Sequence, residues 1–365
     1  MKSVRCRLLG FLPLLLFLTV AQRVSASRFE IHRGVNIAHW LSQSSARGAE
    51  RDRFFTEEDV SGIAAWGFDH VRIPIDEEQM FLPDGRKDTV AFALLHRALD
   101  QCLKHHLRVV VDLHILRSHY FDSKVKPLFT DKAAQETFCN CWRQLSGELK
   151  GYPVSQVAYE LMNEPVADDP SQWNNVAMKG YHAVRALEKN RTIVLGSNLW
   201  QSTETVKYLE IPPGDRHIII SVHYYQPFLL THYRASWNEN KNYTGPVHYP
   251  GPVITETDLQ TLPADMAEKW KWWSTQTFNL GHISDQLKEA VVIARKHHLP
   301  IYCGEYGCLY NAPDADRYRW LEDVNAAFDE LGVSRAVWCY KENGFGIIND
   351  RGTDDKMIAI LAGRK

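Results

Sequence analysis

Two glutamates stand where carboxylates could do acid–base and nucleophilic work. Glu164 lies in Leu161-Met162-Asn163-Glu164-Pro165 and Glu305 in Tyr302-Cys303-Gly304-Glu305-Tyr306-Gly307. Each follows an apolar run and is flanked by turn residues, so each marks the point where a strand gives way to a loop. Two carboxylates facing one another across a cleft are what cleavage of a glycosidic bond requires: one protonates the leaving oxygen, the other attacks the anomeric carbon or activates water. A separation of about 5–5.5 Å gives retention of configuration and about 6.5–9.5 Å gives inversion. Either glutamate alone reads equally well as a loop carboxylate capping the next helix. Both in matching contexts argue for chemistry.

The elements that must position them alternate in type. Strand candidates are Gly34–Ala38, His70–Ile75, Arg108–His114, Val157–Asn163, Thr192–Ser197, Ile218–Tyr225, Pro300–Gly304 and Arg335–Tyr340. Runs such as Val109-Val110-Val111 and Ile218-Ile219-Ile220 lack polar alternation, as strands covered on both faces do. Between them the period changes to that of a helix. One stripe is Ala91, Leu94, Leu95, Ala98, Leu99 and Cys102; another is Phe138, Trp142, Leu145 and Leu149; a third is Ile283, Leu287, Ala290, Val291 and Ala294. Thr56 with Asp59 has the spacing of a capping box. Eight strand–helix alternations, with no glycine-rich dinucleotide turn after the first strand, predict an α/β fold of the (β/α)8 TIM-barrel class.

Such a barrel brings all its C-terminal strand ends around one cavity. Read in order, those ends offer Arg72, Asp112 with His114, Asn163 with Glu164, His223 with Tyr225, Glu305 and Trp338. A barrel needs roughly 250 residues, which leaves on the order of ninety in excess. The largest excess falls at about 226–280, between the sixth strand and its helix, and holds Trp237, Trp270, Trp272 and Trp273. An unstructured loop of that length is unusual, so a small aromatic-rich subdomain over the barrel mouth is expected.

At the N-terminus, Lys2, Arg5 and Arg7 precede an apolar run from Leu8 to Val20, and Val24-Ser25-Ala26 offers small residues for cleavage. The run falls short of the ~20 residues that span a bilayer, so 1–26 reads as a secretory signal and 27–365 as a single catalytic domain. Loss of Lys2, Arg5, Arg7 and Arg23 takes 42 basic residues to 38 against 44 acidic, a balance of −6. That excludes the basic surplus of a nucleic-acid binder. With 45% hydrophobic and 24% charged residues the chain is globular rather than disordered. Beyond the signal, Cys102, Cys139, Cys141, Cys303, Cys308 and Cys339 read as buried thiols, one bridge being left open. There is no Cys-x-x-Cys and no His-Glu-x-x-His, so neither a metal nor any other cofactor is expected.

Taken together, the motifs resemble glycoside hydrolase family 5, in the retaining clan of (β/α)8 enzymes. They are similar to its endo-β-1,4-glucanases (cellulases) with an insertion after the sixth strand. The resemblance rests on Arg33-Gly34-Val35-Asn36, Trp66-Gly67-Phe68-Asp69-His70-Val71-Arg72-Ile73-Pro74, Leu161-Met162-Asn163-Glu164-Pro165 and Gly196-Ser197-Asn198-Leu199-Trp200-Gln201-Ser202. It continues in His223-Tyr224-Tyr225, Ala235-Ser236-Trp237, Gly304-Glu305-Tyr306-Gly307 and Trp338-Cys339-Tyr340-Lys341. It implies that Glu164 is the acid/base and Glu305 the nucleophile. It further implies that Arg72 and Tyr225 attend the nucleophile, Asn163 binds the sugar 2-hydroxyl, His114 and His223 line the reacting subsite, and Trp338 stacks beneath the sugar. Trp40, Trp200 and Trp237 are candidate platforms for neighbouring sugars. Two segments depart from the pattern, Ile115–Phe121 and Arg234, and both bear on which glycan is taken.

The expectation is a secreted, monomeric, retaining β-glycanase whose partner is a β-glucan polysaccharide or oligosaccharide, with neither nucleic acid nor membrane as partner. β-Mannan, mixed-linkage glucan and xyloglucan are the alternative substrates. A barrel that binds glycans without cutting them is the alternative from another class.

Overall fold

The computed structural model describes residues 28–341 and 344–363; the expected signal segment lies outside the described residues. Eight parallel strands close into a barrel: β1 (Arg33–Asn36), β2 (His70–Asp76), β3 (Arg108–Ile115), β4 (Val157–Glu160), β5 (Ile193–Gly196), β6 (Ile218–Tyr224), β7 (Ile301–Tyr306) and β8 (Ser334–Val337). Each pairs with its sequence neighbours, and β1 pairs with β8 to seal the ring. The continuous apolar runs follow from this closure, since every residue of β2, β6 and β7 is buried. The barrel floor is plugged by Phe29, Ile31, Val110, Ala158, Val194, Ile219, Tyr302 and Ala336.

Helices cover the outside where the 3.6-residue period predicts. Thr89–Lys104 buries Leu94, Leu95, Ala98 and Leu99, Lys132–Leu149 buries Phe138, Trp142 and Leu145, and Leu280–Lys296 buries Ile283, Leu287 and Val291. Cutting one such side chain back, as in Leu95→Ala, costs about 2–5 kcal/mol. The capping box opens the helix Glu57–Ala65: Asp59 Oδ2 accepts from the Thr56 amide at 2.8 Å, and the Thr56 hydroxyl accepts from the Asp59 amide.

The alternation is incomplete in one place. After β5 come only a four-residue helical segment, Asn198–Gln201, and a 3-10 segment, Thr203–Tyr208, where a long covering helix is expected. The chain there runs through Leu199, Trp200 and Gln201 with φ of 51°, 58° and 54°, a left-handed path that interrupts right-handed helix at these three residues.

Between β6 and its helix lie the short helical segments Phe228–Thr231, Glu256–Thr261, Ala264–Trp270 and Trp272–Thr275. Tyr233, Tyr243, Tyr249, Trp270 and Phe278 from this stretch are buried in the same apolar cluster as the barrel's outer core. The Tyr249 hydroxyl donates to Asp323 at 2.7 Å, tying the stretch to the helix Asp314–Leu331. The six described cysteines are buried and no disulfide joins any two of them, so the bridge left open does not form among them. Folding rests on the apolar core, as a chain of this length permits.

Candidate active site

Strand register sets the floor of the site. Asn36 pairs with Arg72 across β1–β2, Asp112 with Glu160 across β3–β4, and His223 with Glu305 across β6–β7. Arg72 is fully buried and is the hub. Its Nε donates to Glu160 Oε2 at 2.7 Å, and its Nη1 donates to Asn36 Oδ1 at 2.9 Å and Glu305 Oε1 at 2.7 Å. Its Nη2 donates to Asn163 Oδ1 at 2.8 Å and lies 2.9 Å from Asp112 Oδ2. One planar guanidinium thus orients five groups from four strands or their loops, which the point charge of a lysine could not do.

Three carboxylates around one cation leave negative charge to place in a dry interior. Burial pushes Asp112 and Glu160 up to about 7 each, against the pull of Arg72. Glu305 is held above the usual range by burial, with Arg72 opposing the rise, and Tyr225 donates to its Oε2 at 3.1 Å. Burial also raises the Tyr225 phenol, so it stays a donor. Glu164 is raised further than Glu305, by burial first and then by the charge of Glu305. Of the two, Glu164 therefore keeps the proton, because Glu305 has the guanidinium beside it and Glu164 does not.

The two carboxylates face one another. One oxygen of Glu164, one of Glu305 and a ring nitrogen of His223 all lie within 4.8 Å of each other. His223 Nδ1 is 2.9 Å from Glu164 Oε1 and 3.7 Å from Glu305 Oε2. The same spacing would admit a metal ion, but Arg72 already holds Glu305 Oε1, and a second cation beside that guanidinium would be repelled.

The surrounding groups are neutral donors and flat faces. Burial lowers His114 to about 3 and His223 well below its ordinary value, so both imidazoles are uncharged. His114 is pinned by Asp112 Oδ2 at 2.7 Å and by the Gln43 amide at 2.7 Å. It lies parallel to Trp338, with 5.6 Å between ring centres and 9° between planes. Asn163 Nδ2 is buried with no protein partner, a donor left over once its oxygen is given to Arg72.

All eight expected site residues therefore meet at the C-terminal barrel mouth. The three candidate platforms divide. Trp200 and Trp237 are 49% and 52% exposed. Trp40 is a correction: it is 1% exposed, packs against Phe55 and donates its indole N–H to Arg51 O at 2.7 Å, so no sugar reaches it. A tryptophan beside a strand end faces the cavity or the core according to the strand's rotation, which residue type does not reveal.

Sequence reasoning missed other members. Glu160 carries a signal, because a glutamate inside the run Val157-Ala158-Tyr159-Glu160-Leu161 must be paired to be buried. Asn36 carries the same kind of signal at its strand end, and Asp112, already read at the end of β3, proves to be a partner of Arg72 and His114. Gln201 and His119 carry none: they become visible only as contacts to the Glu164 backbone.

Comparison with known proteins agrees with this geometry. The family model described as cellulase (glycosyl hydrolase family 5) matches residues 32–344. Endoglucanase C of Acetivibrio thermocellus is 32% identical over 344 residues, covering 91% of this chain and 98% of the relative. Cellodextrinase A of Ruminococcus flavefaciens is 28% identical, with 84% of each covered. Among solved structures, the endoglucanase of the hyperthermophilic Thermotoga maritima superposes with a TM-score of 0.72 at 25% identity, over 90% of this chain and 96% of that one. With the family model spanning nearly the whole barrel and two opposed glutamates at its mouth, the chain belongs to the cellulases of glycosyl hydrolase family 5 and is a glycoside hydrolase.

Proposed function

We propose that this enzyme is a secreted, retaining endo-β-1,4-glucanase that cleaves internal bonds of cellulose-type glucans by double displacement. The observation that carries the reading is the close approach of Glu164 and Glu305, with one oxygen of each within 4.8 Å of the other. Inversion needs a wider gap to seat a water between acid and base.

In the first step Glu164 gives its proton to the glycosidic oxygen as Glu305 attacks the anomeric carbon and forms a glycosyl ester. Arg72 and Tyr225 hold the attacking carboxylate in place. In the second step Glu164, now a base, takes a proton from the water that releases the sugar. The free Asn163 Nδ2 is suited to the 2-hydroxyl, a contact that strengthens as positive charge develops on the ring. Trp338 presents an apolar face to the reacting sugar. Residues 1–26 would direct export, and 27–365 would act as one monomeric catalytic domain. No helix among the described residues is long and apolar enough to cross a membrane.

Proton NMR of the first products from a soluble β-1,4-glucan tests the reading. Retention releases the β anomer first, and an α anomer would refute double displacement. Parallel runs on β-mannan, mixed-linkage glucan and xyloglucan decide the substrate, and a failure to release reducing sugar from any would refute catalysis.

A further inference from the structure

The peptide unit of Glu164 is strained and held from both sides. Its φ is 43°, in the left-handed region, although it is not glycine and precedes Pro165. For a residue with a side chain such a conformation costs about 1–3 kcal/mol and persists only where the surroundings over-determine it. Two side chains do so. The Glu164 amide donates to Gln201 Oε1 at 2.9 Å, and the Glu164 carbonyl lies 3.2 Å from His119 Nε2.

Neither side chain is free to choose another partner. Gln201 is fully buried, and its Nε2 donates to Glu160 Oε1 at 3.1 Å and to Ser221 Oγ at 2.9 Å. With a carboxylate on one side and an N–H on the other, only one orientation of its amide satisfies both. It reaches inward because Leu199, Trp200 and Gln201 are all left-handed, and because Gly196 leaves room: a Cβ there would fall 2.5 Å from Gln201 Cδ. His119 is 1% exposed and meets Phe129 edge-on at 5.3 Å between centres. A carbonyl only accepts, so the His119 proton sits on Nε2, and its Nδ1 is buried without a partner.

We infer that Gln201 and His119 are positioning residues that grip the two ends of the Glu164 peptide and aim its carboxyl at the leaving oxygen. The inference rests on the acid/base reading of Glu164 given above. His119 belongs to the Ile115–Phe121 segment that follows β3. Gln201 also links the acid to the other half of the site, since Glu160 is the partner of Arg72 and Arg72 of Glu305.

The test compares kcat/KM on a dinitrophenyl cellobioside, which needs little protonation, with that on cellotetraose, which needs full protonation. The variants are Gln201→Leu, His119→Leu and His119→Gln, with Glu164→Ala as reference and melting temperature as the check on folding. A carboxyl misaimed by about 1 Å loses on the order of 10²-fold. Gln201→Leu and His119→Leu should lose about 10- to 100-fold on cellotetraose and under about threefold on the aryl glycoside. His119→Gln, which keeps a donor near the Nε2 position, should recover most of the loss. The basic limb of the pH profile should move to lower pH in both leucine variants, because a loosened carboxyl reaches water. Equal losses on the two substrates, or a glutamine no better than leucine at 119, overturn the inference. If Gln201→Leu does not fold, the two His119 variants decide alone. If Glu164→Ala itself fails to discriminate between the substrates, the acid/base reading falls; if it discriminates and the others do not, only the grip falls.

Discussion

Arg72 and Glu305 form a 2.7 Å ion pair in which the arginine is fully buried, and the same guanidinium reaches Glu160, Asp112, Asn36 and Asn163. A nucleophile must be ionised at the moment of attack, and burial works against that. Arg72 opposes the rise at the one oxygen it touches. In the proposed mechanism, the cation that favours the charged form of Glu305 is therefore also the piece that assembles the floor of the site.

Replacing Arg72 by lysine keeps the charge and loses the fork. Removing a preorganised donor of this kind costs about 10²–10³ in kcat. Arg72→Lys should fall in that range, with the acid limb of the kcat/KM profile moved to higher pH. A loss under tenfold with an unmoved limb, measured by initial rates between pH 3 and 9, would mean that Glu305 is held by other groups.

The pH dependence follows from the two glutamates. The proposed mechanism needs Glu305 ionised, so activity is expected to fall as pH drops through the Glu305 value. It also needs Glu164 protonated, so activity is expected to fall as pH rises through the Glu164 value, which burial and the charge of Glu305 raise well above the ordinary carboxylate range. The expected profile is a bell with its basic limb above that range. In Glu305→Gln the repelling charge is gone, and Glu164 should titrate lower by carboxyl carbon-13 NMR while burial still holds it above a free glutamate. An unchanged value would assign the whole rise to burial.

Removing the proposed nucleophile gives a stereochemical test. Glu305→Gly should be nearly inactive, and azide should restore turnover of an activated β-cellobioside by entering from the side Glu305 vacates. The product should be the α-glycosyl azide. A β-azide, read from its anomeric coupling constant, would place the nucleophile elsewhere.

The tryptophans separate stability from binding. Trp40→Phe removes a buried N–H and leaves the Arg51 carbonyl without its donor. It should destabilise by about 1–3 kcal/mol and leave kcat/KM on soluble glucan within about twofold. Trp237→Ala removes an exposed ring near the mouth and should raise KM for long glucans several-fold with little change in melting temperature. Thermal melts and polymer kinetics on both variants check the pair, and the reverse pattern would exchange their roles.

Much of this molecule was legible before any coordinates. The runs at Val109–Val111 and Ile218–Ile220 announced strands buried on both faces, and the polar residue ending each run marked the barrel mouth. That carried Arg72, His114, Asn163, Glu164, His223, Tyr225, Glu305 and Trp338 to one place, because in a closed parallel barrel all C-terminal strand ends must converge. The short fifth covering element was not legible, since it contains left-handed backbone at Leu199–Gln201 and no glycine there advertised it.

The order of the elements, the identity of the two carboxylates and the shared cavity are thus properties of the sequence by itself, because hydrophobic period and strand-end polarity are local. The tertiary structure decided the rest: the approach of one oxygen of each carboxylate to within 4.8 Å, the burial that raises Glu164 and closes off Trp40, and the hold of Gln201 and His119 on the Glu164 peptide. Each depends on distances between segments far apart in the chain and on how strongly packing excludes water, and neither quantity exists until the barrel has closed.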